Sequence, residues 1–215
     1  MSRVARLTST SYAVLGLLAV RPWTTHELVQ QVELSLRRIW PRAQSKLYEE
    51  PKKLVAHGFA HAEDDSVGRR RRTRYTITPE GRASLAGWLR DPAQGPVLES
   101  EQLLKIHFAD SGSRADVLAH LEGMLAWARA ENEENLATAR AYLAGAGGFP
   151  QRAALNQLVG RFLTEHYAMV ARCAEWAIGV VEAWPDDVLE APFDPAVQEE
   201  AVRLAEQTAA TGTVR

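Results

Sequence analysis

Two long apolar stripes in the second half of the chain restrict its possible folds more than any other feature. Val117, Leu121, Leu125, Ala128, Leu136 and Leu143 recur at roughly helical spacing, with a polar interruption at residues 131–135. Leu155, Val159, Phe162, Met169, Cys173, Trp176, Val180 and Trp184 mark a second stripe. Between them lies Gly145-Ala146-Gly147-Gly148-Phe149-Pro150, a turn of high backbone freedom. At about 1.5 Å per residue each helix would be roughly 40 Å long, longer than a small head domain can cover. Stripes of that length need a partner, and a second copy of the same chain is the simplest one.

A second break, Asp91-Pro92-Ala93-Gln94-Gly95-Pro96, cannot continue a helix and separates a head from this tail. The expected organisation is a head at residues 1–91, a helical dimerisation and effector domain at 92–184, and a terminal segment at 185–215. That last segment turns from acidic to rich in alanine and threonine; it is read as partly helical or frayed and receives no role. A short helix near residues 99–108 precedes Ser113, an N-cap for the first long helix with Asp116 in its first turn.

In the head, residues 12–20 read as a buried helix ending before Pro22. Thr24 and Glu27 form a capping box for a second helix with Leu28, Val32 and Leu36 inward, stopping near Trp40 and Pro41. A third helix from about residue 42 to 57 places Leu47, Leu54 and Val55 inward, with Gly58 as a left-handed cap. Pro51 removes one backbone donor and predicts a kink there or a restart near Glu49. Residues 59–63 and 73–78 alternate as two strands of a hairpin. Thr78 followed by Pro79 then opens a helix carrying Leu85, Trp88 and Leu89. The fold class expected is mostly α with a small β-hairpin wing: an N-terminal winged helix-turn-helix and a C-terminal long-helix dimerisation domain.

The net charge of -2 conceals an asymmetry that bears on partners. Residues 1–91 hold 16 basic and 9 acidic side chains, and the remainder holds 9 and 18. A head at +7 joined to a tail at -9 suits a nucleic-acid-facing head kept off DNA elsewhere. The third helix offers Arg42, Gln44, Ser45, Lys46, Tyr48 and Lys52, types that donate to base edges or phosphates from a helix entering a major groove. Gln44 and Lys46 are the better base readers; Ser45 and Tyr48 suit phosphate. At the hairpin tip Arg69, Arg70, Arg71, Arg72 and Arg74 place five cations in six positions, a repulsive cluster unless an anion is near. The anion expected is the sugar-phosphate backbone, with one arginine entering the minor groove. A localisation signal or a solvated turn is the alternative reading of the run.

Other chemistry finds little support. Cys173 is the only cysteine, so no disulfide or thiolate zinc cluster can form within the chain; it lies on an apolar stripe, where a cysteine acts as a small buried hydrophobe. His57 and His61 have a suggestive spacing, but Gly58 interrupts the helix between them, so no metal and no cofactor is expected. No nucleophile and base pair is defensible, so no catalytic residues are expected. No stretch reaches the roughly 20 apolar residues of a membrane span, and a reducing cytoplasm fits the cysteine content. Trp127 and Trp176 offer flat apolar surface in the presumed dimer layer, either as core or as a clasp for a small aromatic or lipophilic effector.

The segments Tyr12-Ala13-Val14-Leu15-Gly16-Leu17-Leu18, Ser45-Lys46-Leu47-Tyr48 leading to Lys52-Lys53-Leu54 and Gly58, Tyr75-Thr76-Ile77-Thr78-Pro79-Glu80-Gly81-Arg82, and Trp88-Leu89 resemble the PadR family of transcriptional regulators over about residues 9–90. The resemblance implies a winged-helix head, a helical dimerisation domain of the larger kind, and repression of an operator relieved by a small molecule. Thr25-His26-Glu27-Leu28, where the family often has Gly-Tyr-Glu-Leu, and Pro51, where a proline directly after the tyrosine is commoner, depart from its pattern. The expected partners are therefore a double-stranded DNA operator and a second copy of the chain. A winged helix that binds another protein, and a ligand-sequestering helical protein without DNA binding, are the alternatives.

Overall fold

The computed structural model describes residues 7–65 and 72–210. Contacts divide the chain into two units, residues 1–96 and 97–215.

The first unit runs α1 (Ser9–Val20), β1 (Trp23–Thr24), α2 (Thr25–Ser35), α3 (Gln44–Ala56), β2 (Ala60–Asp64), β3 (Thr73–Ile77) and α4 (Pro79–Trp88). Its core gathers Val14, Leu15 and Leu18 of α1, Leu28, Val29 and Val32 of α2, and Leu47 and Leu54 of α3, with Trp23, Tyr75 and Ile77 from the sheet. The starts of α1 and α2 follow from local chemistry. Thr8 and Ser11 cap α1 reciprocally, Ser11 N donating to Thr8 Oγ1 at 3.1 Å. Thr24 N donates to Glu27 Oε2 at 2.7 Å and completes the box that opens α2.

Three features differ from the sequence expectations. The sheet has three strands in the order β1-β3-β2, because Trp23 and Thr24 pair antiparallel with Tyr75 and Arg74. Helix α2 stops at Ser35, five residues before Trp40 and Pro41. There Leu36 N and Arg37 N both fall on the Val32 carbonyl, and Trp40 N closes a further turn on Leu36 O at 2.7 Å. Helix α3 does not restart at Glu49 but runs on through Pro51. The proline ring is fully buried, so packing of α3 against α1 and α2 outweighs the single backbone bond that Leu47 O gives up.

The turn from β3 into α4 explains the most specific part of the sequence. Thr78 Oγ1 accepts from Gly81 N at 3.0 Å and donates to Gly58 O at 2.8 Å, while Thr78 N donates to Phe59 O at 3.1 Å. A Cβ on Gly81 would sit 2.2 Å from Phe59 O, so only glycine fits this crossing of backbones. Gly58 itself has φ +73°, the left-handed cap read from its position. Helix α4 then returns to α1, with Trp88 stacked on Tyr12 at 4.9 Å. Leu89, expected within this helix, is its C-cap and exposed, since α4 ends one residue earlier.

The second unit contains α5 (Glu101–His107), α6 (Arg114–Leu143), α7 (Ala153–Glu182) and α8 (Pro195–Ala210). Ser113 and Asp116 form a capping box at the start of α6. The paired helices α6 and α7 bury Val117, Leu121, Met124 and Ala128 against Tyr167, Val170, Ala174 and Val181. The stripes read from sequence are not the buried ones throughout. Leu136 and Leu143 are exposed, and Asn135 takes the inner place, its Nδ2 donating to Gly160 O at 3.2 Å and Thr164 Oγ1 at 2.8 Å. Along α7, Leu155, Val159, Phe162, Met169 and Trp176 face outward. Cys173 is likewise exposed, not buried as its stripe suggested. The reason is register: α7 turns Tyr167, Val170, Ala174 and Val181 toward α6 and leaves the row through Phe162, Met169 and Trp176 outside. Gly145, at φ +73°, closes α6.

Candidate nucleic-acid interface

Helix α3 is held from one side only. Leu47, Glu50, Pro51 and Leu54 are buried, and Gln44, Ser45, Lys46, Tyr48, Glu49, Lys52 and Lys53 are exposed. With about 100° of rotation per residue, Ser45, Tyr48, Glu49 and Lys52 occupy the middle of the outward face. Gln44 and Lys46 stand about 100° to either side of Ser45, on the flanks of that face. The sequence had favoured those two as base readers; the geometry places Ser45, Tyr48 and Lys52 more centrally.

The anchor of α3 is a buried carboxylate that sequence reasoning missed. Ser11 Oγ donates to Glu50 Oε2 at 2.6 Å and Lys53 Nζ donates to Glu50 Oε1 at 2.9 Å. Glu50 thus ties the start of α1 to the inner face of α3 while neutralised by a cation on its rim. The one available signal was spacing, since Glu50 falls three residues after Leu47 and four before Leu54. The hydrogen bond to Glu50, together with its charge, raises the Lys53 ammonium above its usual range, and Glu49 adds a weaker contact at 3.8 Å.

Arg42 precedes α3. Its guanidinium lies 4.2 Å over the Trp40 ring and donates to Pro41 O at 2.6 Å, while Trp40 Nε1 donates to Thr10 Oγ1 at 3.2 Å. An exposed cation is thereby held at the mouth of the helix by an indole that α1 fixes.

At the hairpin, Arg69, Arg70 and Arg71 lie outside the described residues. Arg72 is exposed, and its carbonyl accepts from Asp65 N at 2.8 Å. Arg74 differs from the free cation expected of it: its Nη2 donates to Asp65 Oδ2 at 2.7 Å, and that bond raises its pKa further. It therefore clamps the two strands where they leave the sheet.

In the second unit the two tryptophans singled out from sequence are not brought together. Trp127 packs edge-on to Tyr167 at 5.8 Å and His166 at 6.4 Å. Trp176 lies ten residues beyond His166, about 15 Å along α7, and donates from Nε1 to Glu200 Oε2 at 3.2 Å. Among the described residues no three His, Cys, Asp or Glu side chains are disposed to hold a metal ion, and no helix is long and apolar enough to cross a membrane.

A helix-turn-helix pair backed by α1, a three-stranded sheet with a projecting hairpin, and a separate helical unit define a winged-helix protein with a helical C-terminal domain. Residues 14–87 match the transcriptional regulator PadR-like family, and residues 99–182 match the virulence activator alpha C-terminal family. The first unit thus carries a domain that matches the PadR-like family of transcriptional regulators. It is 29% identical over 107 residues to the negative transcriptional regulator PadR of Bacillus subtilis (strain 168), a match spanning 49% of this chain and 59% of that protein. The crystal structure of Bacillus subtilis PadR in complex with operator DNA is 23% identical, with a TM-score of 0.72 over 81% of this chain and 99% of that one. The same regulator in complex with p-coumaric acid gives a TM-score of 0.66 at 23% identity over 84% and 99%. The Vibrio cholerae virulence activator AphA gives 0.62 at 20% identity over 81% and 98%. At these identities the structural likeness carries the fold.

Proposed function

We propose that the chain is a sequence-specific, DNA-binding transcriptional regulator that acts as a homodimer. The observation that carries the reading is the outward face of α3: Ser45, Tyr48 and Lys52, flanked by Gln44 and Lys46, on a helix whose other side is locked into the core. In this reading α3 enters the major groove, Gln44 and Lys46 reach base edges, and Ser45, Tyr48, Lys52 and Arg42 hold phosphates. Arg69, Arg70, Arg71 and Arg72 meet the sugar-phosphate backbone, and Arg74 stiffens the wing that carries them. The exposed row of α7 pairs with a second copy, so that two heads meet successive major grooves about 34 Å apart. Fluorescence anisotropy with DNA from upstream of the chain's own coding region, at 50 and 200 mM salt, tests this. Affinity should fall about a thousandfold between the two; absent or salt-independent binding would refute it.

The regulation proposed is repression relieved by a small aromatic or lipophilic effector. The relative named as a negative regulator and its p-coumaric acid complex support that direction. Trp127, backed by Tyr167 and His166, is the better-placed contact, and Trp176 is a second, separate one. A ligand favouring one packing of the paired tails would shift operator affinity by its differential affinity for the two states. Activation is the second reading, favoured by the match of residues 99–182 to a virulence-activator domain. A promoter-reporter fusion with and without the chain decides the sign. The protein is taken to work in the cytoplasm, without catalytic turnover.

A further inference from the structure

Helix α8 is only lightly covered by its own chain. It has no buried residue, and Leu204 is 58% exposed. Val197, Ala201, Leu204, Ala205 and Thr208 follow three- and four-residue spacing and share one face, while Glu199, Arg203 and Glu206 lie on the other. Helices of this length are marginal in water without a packed apolar side. Some surface must therefore cover it.

Its position narrows the choice. Glu200, at the edge of the apolar face, accepts from Trp176 Nε1 at 3.2 Å, so α8 starts beside the exposed row of α7. That row runs Leu155, Val159, Phe162, His166, Met169, Cys173, Trp176 and Val180, alternating four and three residues, the spacing of a helix-pairing seam. Contact with its own chain half-buries Val197 and leaves Ala201, Leu204 and Ala205 exposed, so the intrachain tether is not the full cover. Eight seam positions also fall short of the 20 to 30 residues a side that a stable interface draws on. A body seated on Trp176 meets the α8 face as the continuation of the seam. Helix α8 lies past residue 182, where the family likeness of this unit ends.

We propose that α8 and the outer row of α7 form one continuous seat for a second copy of this chain, α8 closing over the partner's α6–α7 hairpin as a clasp. The inference rests on the proposed dimer and adds to it an element beyond the family's shared domains.

The test is sedimentation equilibrium of the full chain beside Leu204→Asp and Phe162→Asp. Both side chains are exposed within the protomer, so neither change should unfold it, and circular dichroism checks that. Leu204→Asp should raise the dimer dissociation constant at least tenfold. If Phe162→Asp separates the dimer while Leu204→Asp shifts it less than twofold, the clasp is wrong and the α7 pairing stands. A parent chain that stays monomeric at all concentrations overturns both. A photo-crosslinking side chain at position 204, in a mixture of isotopically light and heavy chains, should yield mixed-isotope products; same-chain products alone would overturn the clasp.

Discussion

Removing the Ser11 hydroxyl should loosen α3 more than any single surface change. The bond from Ser11 Oγ to Glu50 Oε2 is 2.6 Å long between groups 3% and 4% exposed, short and charge-assisted. In Ser11→Ala one carboxylate oxygen remains buried without that donor, while Lys53 still holds the other. Hydrogen bonds to charged groups contribute about 1.5–3 kcal/mol, and the loss of the Thr8 N to Ser11 Oγ contact adds a few tenths. The expected cost is about 2–3 kcal/mol. Hydrogen exchange of α1 and α3 amides reads it within the first unit, where that cost means opening about 30- to 150-fold more often. Glu50→Gln keeps an acceptor for Ser11 and should cost about half as much. Glu49→Gln, on the exposed face, should stay within about 0.5 kcal/mol. If Ser11→Ala exchanges within threefold of the parent, or Glu49→Gln matches Glu50→Gln, the buried carboxylate does not anchor α3.

Further outcomes follow from the same geometry. Gly81→Ala drives a Cβ to 2.2 Å from Phe59 O and should lower stability by at least about 1–3 kcal/mol in urea unfolding; an unchanged midpoint would remove the crossing as its cause. Lys52→Ala should weaken binding to all duplexes alike and reduce the salt slope by about 1, whereas Gln44→Ala should relax preference at one base pair; a competition titration across sequences separates the two. Glu27 is held below its usual pKa chiefly by the Thr24 backbone donor, and Asp116 below its own chiefly by the Ser113 side chain. Both lowered carboxyls support folding fully above their unfolded values, near 4.3 and 3.9. That support is lost as pH falls through the lower folded values. Stability of Glu27→Gln and Asp116→Asn between pH 6 and 3 should thus decline less steeply than that of the parent, and parallel curves would count against this assignment.

What could be read from sequence was what local chemistry decides. Thr24 with Glu27, Ser113 with Asp116, Thr78 before Pro79, and Gly58 each act within a few residues, and each ends or starts an element where its spacing placed it. Strand β1 escaped because two residues carry no periodicity and one of them already served as a helix cap. At Pro51 the restart near Glu49 does not occur, because the proline's local cost is visible in sequence and the core that absorbs it is not. On α7 the apolar row was legible, but not which side it faced: Ala174 and Val170 read as weaker hydrophobes than Met169 and Trp176, yet they are the ones buried against α6. For the interface, the residue types on α3 were visible. Glu50 beneath them and the pairing of Arg74 with Asp65 were not, since both depend on contacts across the fold.

Arg42 on Trp40 has a kinetic meaning as well. A guanidinium already resting on an indole has few conformations left to surrender when an oxyanion arrives, so little of the attraction is offset by ordering. Docking there would begin from a rigid, pre-aimed cation beside the supple arms of Lys46 and Lys52, which settle afterwards.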